Sequence, residues 1–373
     1  MMQKILMQRN LLYAETRAGR RRAFIATLLA TLLPGCIRRH AVTSTADAVN
    51  RDHRPITIRV QQPDGTVKTF PVEYYIRGTI ISEVPLASLS LLGARTISEV
   101  QSIIARTYVL HHRTRHFQDG FDFCSTTHCQ VYRDPTANLT THQALANESV
   151  ARTTGMIVTY NGIPIDSVYH ADCGGATSSA TSVWGGQAPP YLDGVVDDFC
   201  RTLNRPPWTL SIGRETLRDA LNGDPRTTVG RDLKTIVVTR RDNAGRALKI
   251  ELNGSKKLIV SGAILRSVLG ARFGFTRIKS TKFEIRGRND YFLITGTGFG
   301  HGAGLCQTGA MARAEAGHPT KQIITAYYPG TTLSNFHELL IQSDAGEKHT
   351  AATDSIAHMN IATEVSSGPG RSQ

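Results

Sequence analysis

Residues 296–333 read GTGFGHGAGLCQTGAMARAEAGHPTKQIITAYYPGTTL, closely spaced glycines followed by a helical pattern and a Tyr-Tyr-Pro-Gly. A phosphate-binding loop needs Gly-x-x-x-x-Gly-Lys-Ser/Thr, or Gly-x-Gly-x-x-Gly between strand and helix with an acid further on. Gly300, Gly302 and Gly304 lack the lysine, and their spacing is too tight. Ala310, Met311 and Ala314 then continue at helical spacing until Gly317 supplies a stop. The glycines therefore carry backbone close to another group at a strand-to-helix turn. The identity of that group has to come from the rest of the chain.

Just upstream, TKFEIRGRNDYFLITGTG reads as a hairpin that leads into the glycine run. TIVVTRRDNAGRALKIELNG is a second hairpin, turning at Asp-Asn-Ala-Gly. ITIRVQQPDGTVKTFPV is a third, with alternating runs on either side of Pro-Asp-Gly. Two helices are expected near the start. Val72, Tyr75, Ile76, Ile80 and Val84 recur at helical spacing until Pro85 ends the run. Val100, Ile103, Ile104, Tyr108 and Leu110 mark the other. Between 155 and 200 the pattern is short strands and Gly-rich turns. The expected class is α+β, with helices early and late and antiparallel hairpins between them.

With 373 residues, 40% hydrophobic and 20% charged, the chain can bury a real core and is long enough for one large domain or two ordinary ones. Its start reads differently. Arg17, Arg20, Arg21 and Arg22 precede the apolar run 23–33, which is too short to span a bilayer comfortably and matches an export signal. That run ends in Leu33-Pro34-Gly35-Cys36, similar to a bacterial lipobox, so residues 1–35 are expected to be a lipoprotein signal and Cys36 the acylated residue. A plain signal peptide and a twin-arginine signal are the alternatives. Residues 36–55 read as a polar tether, 56–342 as the folded domain and 343–373 as a disordered tail. Loss of residues 1–35 removes six basic groups and one acid, taking the net charge from +13 to +8. An exported basic protein is expected to meet an anionic polymer or surface; cell-wall glycan or phospholipid fits that compartment and nucleic acid does not.

Six cysteines are present, and acylation of Cys36 leaves an odd five, so at least one is free or bound to metal. RHFQDGFDFCSTTHCQVYRD places His116, Cys124, His128 and Cys129 together, two imidazoles and two thiols suited to a closed tetrahedral zinc. A Cys124–Cys129 disulfide is the alternative in an oxidising envelope. Cys173 and Cys200 are expected to form a disulfide, and Cys306 has no assigned role. The candidate acid is Glu83, set between Ile80, Ile81 and Val84 at an apolar helix end where desolvation would raise its pKa. Against it stands an ordinary solvated glutamate in a last turn. His170, Trp184 and Tyr191, among Gly turns, suit sugar stacking, though Trp184 reads equally as core. His301 could be a ligand, a donor to substrate or a satisfied histidine.

EYYIRGTIISEVP, QSIIARTYVL, CSTTHCQVY, YHADCGGATSSATSVWGGQAPPYL, GRALKIEL, GHGAGLCQTGAMARAEAG and ITAYYPGTTL, in that order over about residues 56–340, resemble the stage II sporulation protein D / amidase enhancer (SpoIID/LytB) family. The resemblance implies a lytic transglycosylase acting on peptidoglycan glycan strands, a glycan-cleaving lyase with a structural zinc and a catalytic glutamate, which falls on Glu83. Helices and hairpins are then expected around one catalytic cleft with a zinc-stapled loop. Arg106, Tyr108, Gln130, His170, His301, Gln307 and Tyr328 are the expected substrate-binding residues, and the glycine run becomes the floor of a sugar pocket, neither phosphate cradle nor metal site. Expected partners are glycan strands, a wall amidase, and the membrane through the lipid anchor; the expected location is the bacterial cell envelope, on the outer membrane in a diderm. A non-catalytic enhancer of an amidase is the other reading.

Overall fold

Helix α2 (Leu91–His111) decides the architecture of the first core because it is buried nearly all round. Ile97, Val100, Ile103, Ile104 and Val109 have no exposure, and even Ser98, Gln101 and Ser102 are enclosed. A helix with no solvated face must be surrounded by other elements. Ser90 starts it, its hydroxyl accepting a hydrogen bond from the Gly93 N–H at 3.0 Å. Around it lie α1 (Val72–Glu83), α3 (Thr141–Arg152), α8 (Gln307–Glu315) and α9 (Thr320–Tyr327). The computed structural model describes residues 55–136 and 140–336; the expected signal peptide, Cys36, nearly all of the tether, and the tail lie outside the described residues.

Small sheets close this core. Strands β1 (Thr57–Gln61) and β2 (Val67–Pro71) form the expected hairpin, and β3 (Phe123–Cys124) joins β1 in parallel. Strand β4 (Met156–Tyr160) pairs antiparallel with both β5 (Ile163–Pro164) and β14 (Thr332–Asn335). β6 (Tyr169–His170) runs parallel to β13 (Leu305–Cys306), which ties the glycine run to the middle of the chain. Two short helices, α4 (Ala180–Trp184) and α5 (Asp198–Thr202), complete this part.

A second hydrophobic core, from Trp208 to Ile294, is inserted between α5 and the glycine run. Strand β7 (Trp208–Gly213) alternates strictly, with Trp208, Leu210 and Ile212 inward, and pairs with β12 (Tyr291–Gly296), itself the partner of β11 (Phe283–Gly287). The other sheet is β8 (Leu233–Arg241), β9 (Ala247–Gly254) and β10 (Lys257–Val260). Helices α6 (Arg214–Asn222) and α7 (Gly262–Phe273) cover them. All three expected hairpins are present, and the mixture of helices and small, mainly antiparallel sheets is α+β. The stretch expected as one folded domain, 56–342, holds two separate hydrophobic cores.

Candidate active site and Cys/His loop

Glu83 is the last residue of α1, because Val84 is extended and Pro85 forbids a further turn. Its carboxyl is half-buried, and Oε1 accepts a hydrogen bond from the Val131 N–H at 2.6 Å. Burial pushes its pKa above the ordinary carboxylate value, while the Val131 N–H, Tyr169 and Gln307 pull it back by favouring the charged form. The Tyr169 hydroxyl is buried without a hydrogen bond of standard geometry, so it faces Glu83 through an electrostatic contact. Behind them Gln307 Nε2 donates to Gln101 Oε1 at 3.4 Å. Gln101 Nε2, beside Gln307, is enclosed without a hydrogen-bond partner.

The Val131 donor reaches Glu83 because of two local devices. Gly78, one turn before the end of α1, faces the Tyr132 ring and the Arg133 carbonyl so closely that a Cβ would collide with both. Upstream, the 116–129 loop folds its four expected ligands together. The ligand atoms of His116, Cys124, His128 and Cys129 all lie within 4.8 Å of one another. Cys129 Sγ is 3.3 Å from His116 Nε2 and 3.7 Å from His128 Nδ1, and Cys124 Sγ is 3.8 Å from His128 Nδ1. Zinc bonds of about 2.0–2.3 Å at tetrahedral angles give ligand–ligand edges of about 3.6 Å, so the residues fit such an ion. His116 Nδ1 sits 2.8 Å from Asp119 Oδ2, the outer carboxylate that orients a ligating histidine. Both thiols are free, so the alternative Cys124–Cys129 disulfide is not formed.

Several expected substrate residues sit elsewhere. Arg106 does not approach Glu83. Its guanidinium, almost fully buried, clamps Glu73 at 2.7 and 2.6 Å and donates to the Met156 carbonyl at 2.9 Å. Glu73 lies in the first turn of α1, ten residues and about 15 Å along the helix from Glu83. Tyr328 is fully buried, its hydroxyl donating to the Val168 carbonyl at 2.7 Å, so it offers no stacking wall. Tyr108 is a core residue beside the His112 ring. Gln130 is buried with Nε2 toward the Ala105 carbonyl, and His170 is buried with Nδ1 on the Ala303 carbonyl at 3.0 Å. Gln307 alone of the seven reaches Glu83. The Cys173–Cys200 disulfide is absent: both are free thiols, and Cys306 joins them in a group with Asp197 that could hold an ion. The glycine run therefore does contribute to a candidate metal cluster, contrary to expectation.

His301 lines a cleft of about 570 Å³ between the two cores, together with His128, Trp184, Arg246, Arg266 and Phe275. Its Nδ1 accepts from the Ala303 N–H and its Nε2–H donates to the Tyr169 carbonyl at 2.8 Å, which fixes the neutral tautomer. Burial lowers its pKa to about 4. Trp184, half-exposed, lies 5.1 Å from the imidazole, an aromatic face open to a ligand. Glu83 does not line this cleft; Tyr169 connects the two, with its carbonyl on His301 and its hydroxyl toward Glu83. Sequence reasoning missed Tyr169, although it stands beside His170 in VYHADCGG. Arg246, inside GRALKIEL, and Arg266, in an ordinary-looking helix, were given no role.

Residues 61–160, which hold Glu83 and the Cys/His loop, match the family model described as stage II sporulation protein (SpoIID). Residues 202–304, which span the second core, match a domain of unknown function, DUF8618. The chain is 28% identical over 307 residues to an amidase enhancer of Bacillus subtilis, a match covering 70% of this chain and 40% of that protein. It is 26% identical over 326 residues to stage II sporulation protein D of Bacillus amyloliquefaciens, covering 82% of this chain and 87% of the relative. An uncharacterized protein of Brachyspira hyodysenteriae is 29% identical over 280 residues, covering 73% and 69%. Residues 61–160 therefore form a domain of the stage II sporulation protein D family, and over most of its length the chain is similar to stage II sporulation protein D and amidase enhancer proteins.

Proposed function

We propose that this chain is a peptidoglycan lytic transglycosylase in which Glu83 is the acid and then the base. The observation that carries the reading is a single carboxyl, half-buried and raised in pKa, with no second carboxylate among the groups that act on it. Hydrolytic glycosidases pair two carboxylates, one for the leaving group and one for water or nucleophilic attack. A lytic enzyme needs one. Protonated Glu83 gives its proton to the glycosidic oxygen as the bond to C1 breaks. The resulting carboxylate takes the proton of the same sugar's C6 hydroxyl as that oxygen closes on C1, leaving a 1,6-anhydro end and consuming no water. The Val131 N–H, Tyr169 and Gln307 stabilise the carboxylate formed midway, so the residue can both give and recover the proton.

Zinc held by His116, Cys124, His128 and Cys129 would act as a structural cross-link, since all four positions are filled by protein. Cys129 lies two residues from Val131, so the cross-link fixes the donor that holds Glu83. The basic cleft with Trp184 suits a polyanionic glycan. An amidase that strips stem peptides leaves each lactyl group as a free carboxylate, so peptide-stripped strands are the favoured substrate and an amidase the natural partner. The location proposed is the cell envelope, through a lipid on Cys36. The test is mass spectrometry of strands incubated with the full chain. Anhydro-ended fragments, more from stripped than from cross-linked wall, support the reading. Binding without cleavage of either material would replace it with the amidase-enhancer role that one relative's name suggests.

A further inference from the structure

The glycine run, the segment after β6 and the start of α5 converge on a second thiol-rich cluster. Cys173, Asp197, Cys200 and Cys306 are all buried, and their ligand atoms all lie within 4.8 Å of one another. We propose that these four residues bind a second zinc ion, which staples the neck of the inserted second core.

The donor set is soft and complete: three thiols and one carboxylate, enough for a closed tetrahedral shell. Its span suits one ion and is too small for the terminal sulfurs of an iron–sulfur cube. Backbone groups are already arranged around the sulfurs. The Cys173 N–H points at Cys306 Sγ at 3.2 Å, the Gly175 N–H at Cys173 Sγ at 3.3 Å, and the Gly309 N–H at Cys306 Sγ at 3.4 Å. Such donors stabilise thiolates more than thiols. Asp197 is oriented as a ligating carboxylate should be, with Oδ2 accepting from Tyr327 at 2.7 Å and lying 3.5 Å from Cys173 Sγ. Its Oδ1 accepts from the Cys200 N–H and faces Arg313 at 3.6 Å. Gly309 makes room: a Cβ there would strike Asp197 Oδ2 and the Tyr327 hydroxyl.

Charge and stoichiometry point the same way. Three thiolates and a carboxylate carry four negative charges, of which a divalent ion offsets two. Arg246 is buried, with Nε and Nη2 unpaired, and Cys173 and Cys306 are among the charges acting on it. Cys173 and Cys200 act likewise on Lys282. Asp172 Oδ1, 3.4 Å from Cys200 Sγ, is the unfavourable neighbour, and Arg205 faces its other oxygen at 3.6 Å. A disulfide between any two of the three sulfurs would strand the third in a buried site, whereas one ion uses all of them. Cys200 precedes the second core and Cys306 follows it, so the ion would clasp the two strands of chain leading into and out of that lobe. The cleft residues Arg246 and His301 would then be held in place from below.

The test counts metal in the full wild-type chain by native mass spectrometry and elemental analysis after zinc-replete expression. Two zinc ions per chain are expected. The Cys124→Ser/Cys129→Ser variant should drop to one, and Cys200→Ser should also drop to one. After chelation under denaturing conditions, the thiols of Cys173, Cys200 and Cys306 should all alkylate without prior reduction. No zinc in the wild-type chain, a single zinc that Cys200→Ser retains, or peptide mapping that joins any two of these three cysteines overturns the proposal. The wild-type peptide map decides even if a variant fails to fold.

Discussion

Removing the Glu73 carboxylate should destabilise the fold more than removing Glu73 and its partner together. Arg106 is buried with its charge matched by two bonds to Glu73 at 2.7 and 2.6 Å and by the Met156 carbonyl at 2.9 Å. Glu73→Ala leaves that guanidinium enclosed with carbonyl oxygens alone, a situation that typically costs about 3–5 kcal/mol. Arg106→Met keeps the apolar stem and frees Glu73, whose side chain is 32% exposed and can rehydrate, so its cost is lower, about 2–3 kcal/mol. The double variant should resemble Arg106→Met. In a domain of this size the Glu73→Ala loss corresponds to a fall in Tm of roughly 6–15 °C. Urea unfolding followed by circular dichroism measures the three differences, and glycan cleavage per folded molecule should be unchanged in Arg106→Met. Stability within about 0.5 kcal/mol of wild type in Arg106→Met, together with lost cleavage, would refute the reasoning and return Arg106 to the substrate.

Tyr169→Phe removes a group that lowers the Glu83 pKa, so the alkaline limb of the cleavage profile, where the acid loses its proton, should move to higher pH; a limb that stays put or moves down counts against Glu83 as the acid. Because folding raises the Glu83 pKa, its protonated form is favoured in the folded state, and that stabilisation is present below the unfolded pKa and lost as pH rises through the folded one. Glu83→Gln should therefore gain stability relative to wild type as pH rises past that range, read from paired urea titrations at acid and neutral pH. Tyr328→Phe should cost about 1 kcal/mol through its lost hydrogen bond to the Val168 carbonyl, which still accepts from the Leu305 N–H, and leave cleavage per folded molecule intact. Labelling with a fatty-acid analogue should be lost in Cys36→Ser, and retained labelling would remove the lipid anchor.

The elements legible in the sequence were those whose period is set locally. The three hairpins announce themselves by turn residues between alternating runs, and α1 by spacing and Pro85. The apolar helix end at Glu83 and the grouping of His116, Cys124, His128 and Cys129 were also legible, because an acid beside Pro85 and four soft side chains in one short loop are local patterns. What sequence hid was long-range. Arg106 reads as a surface residue two positions from Tyr108, yet its partner is thirty-three residues back on α1. Tyr328 reads as a wall because nothing in YYPG says that the hydroxyl is taken by Val168. The thiol cluster joins residues 173, 197, 200 and 306, a convergence set by the return of the chain after the second core. No spacing rule could show it.

Glu83→Gln bears most directly on the central claim, since it keeps the side chain's shape and its Val131 contact but cannot give and recover a proton. Wild type and variant are incubated with peptide-stripped glycan strands, and the fragments are weighed by mass spectrometry. The account predicts 1,6-anhydro ends from wild type, none from Glu83→Gln, and nearly equal strand binding by both, weakened alike by salt. Anhydro-ended products from Glu83→Gln at a rate similar to wild type would contradict it.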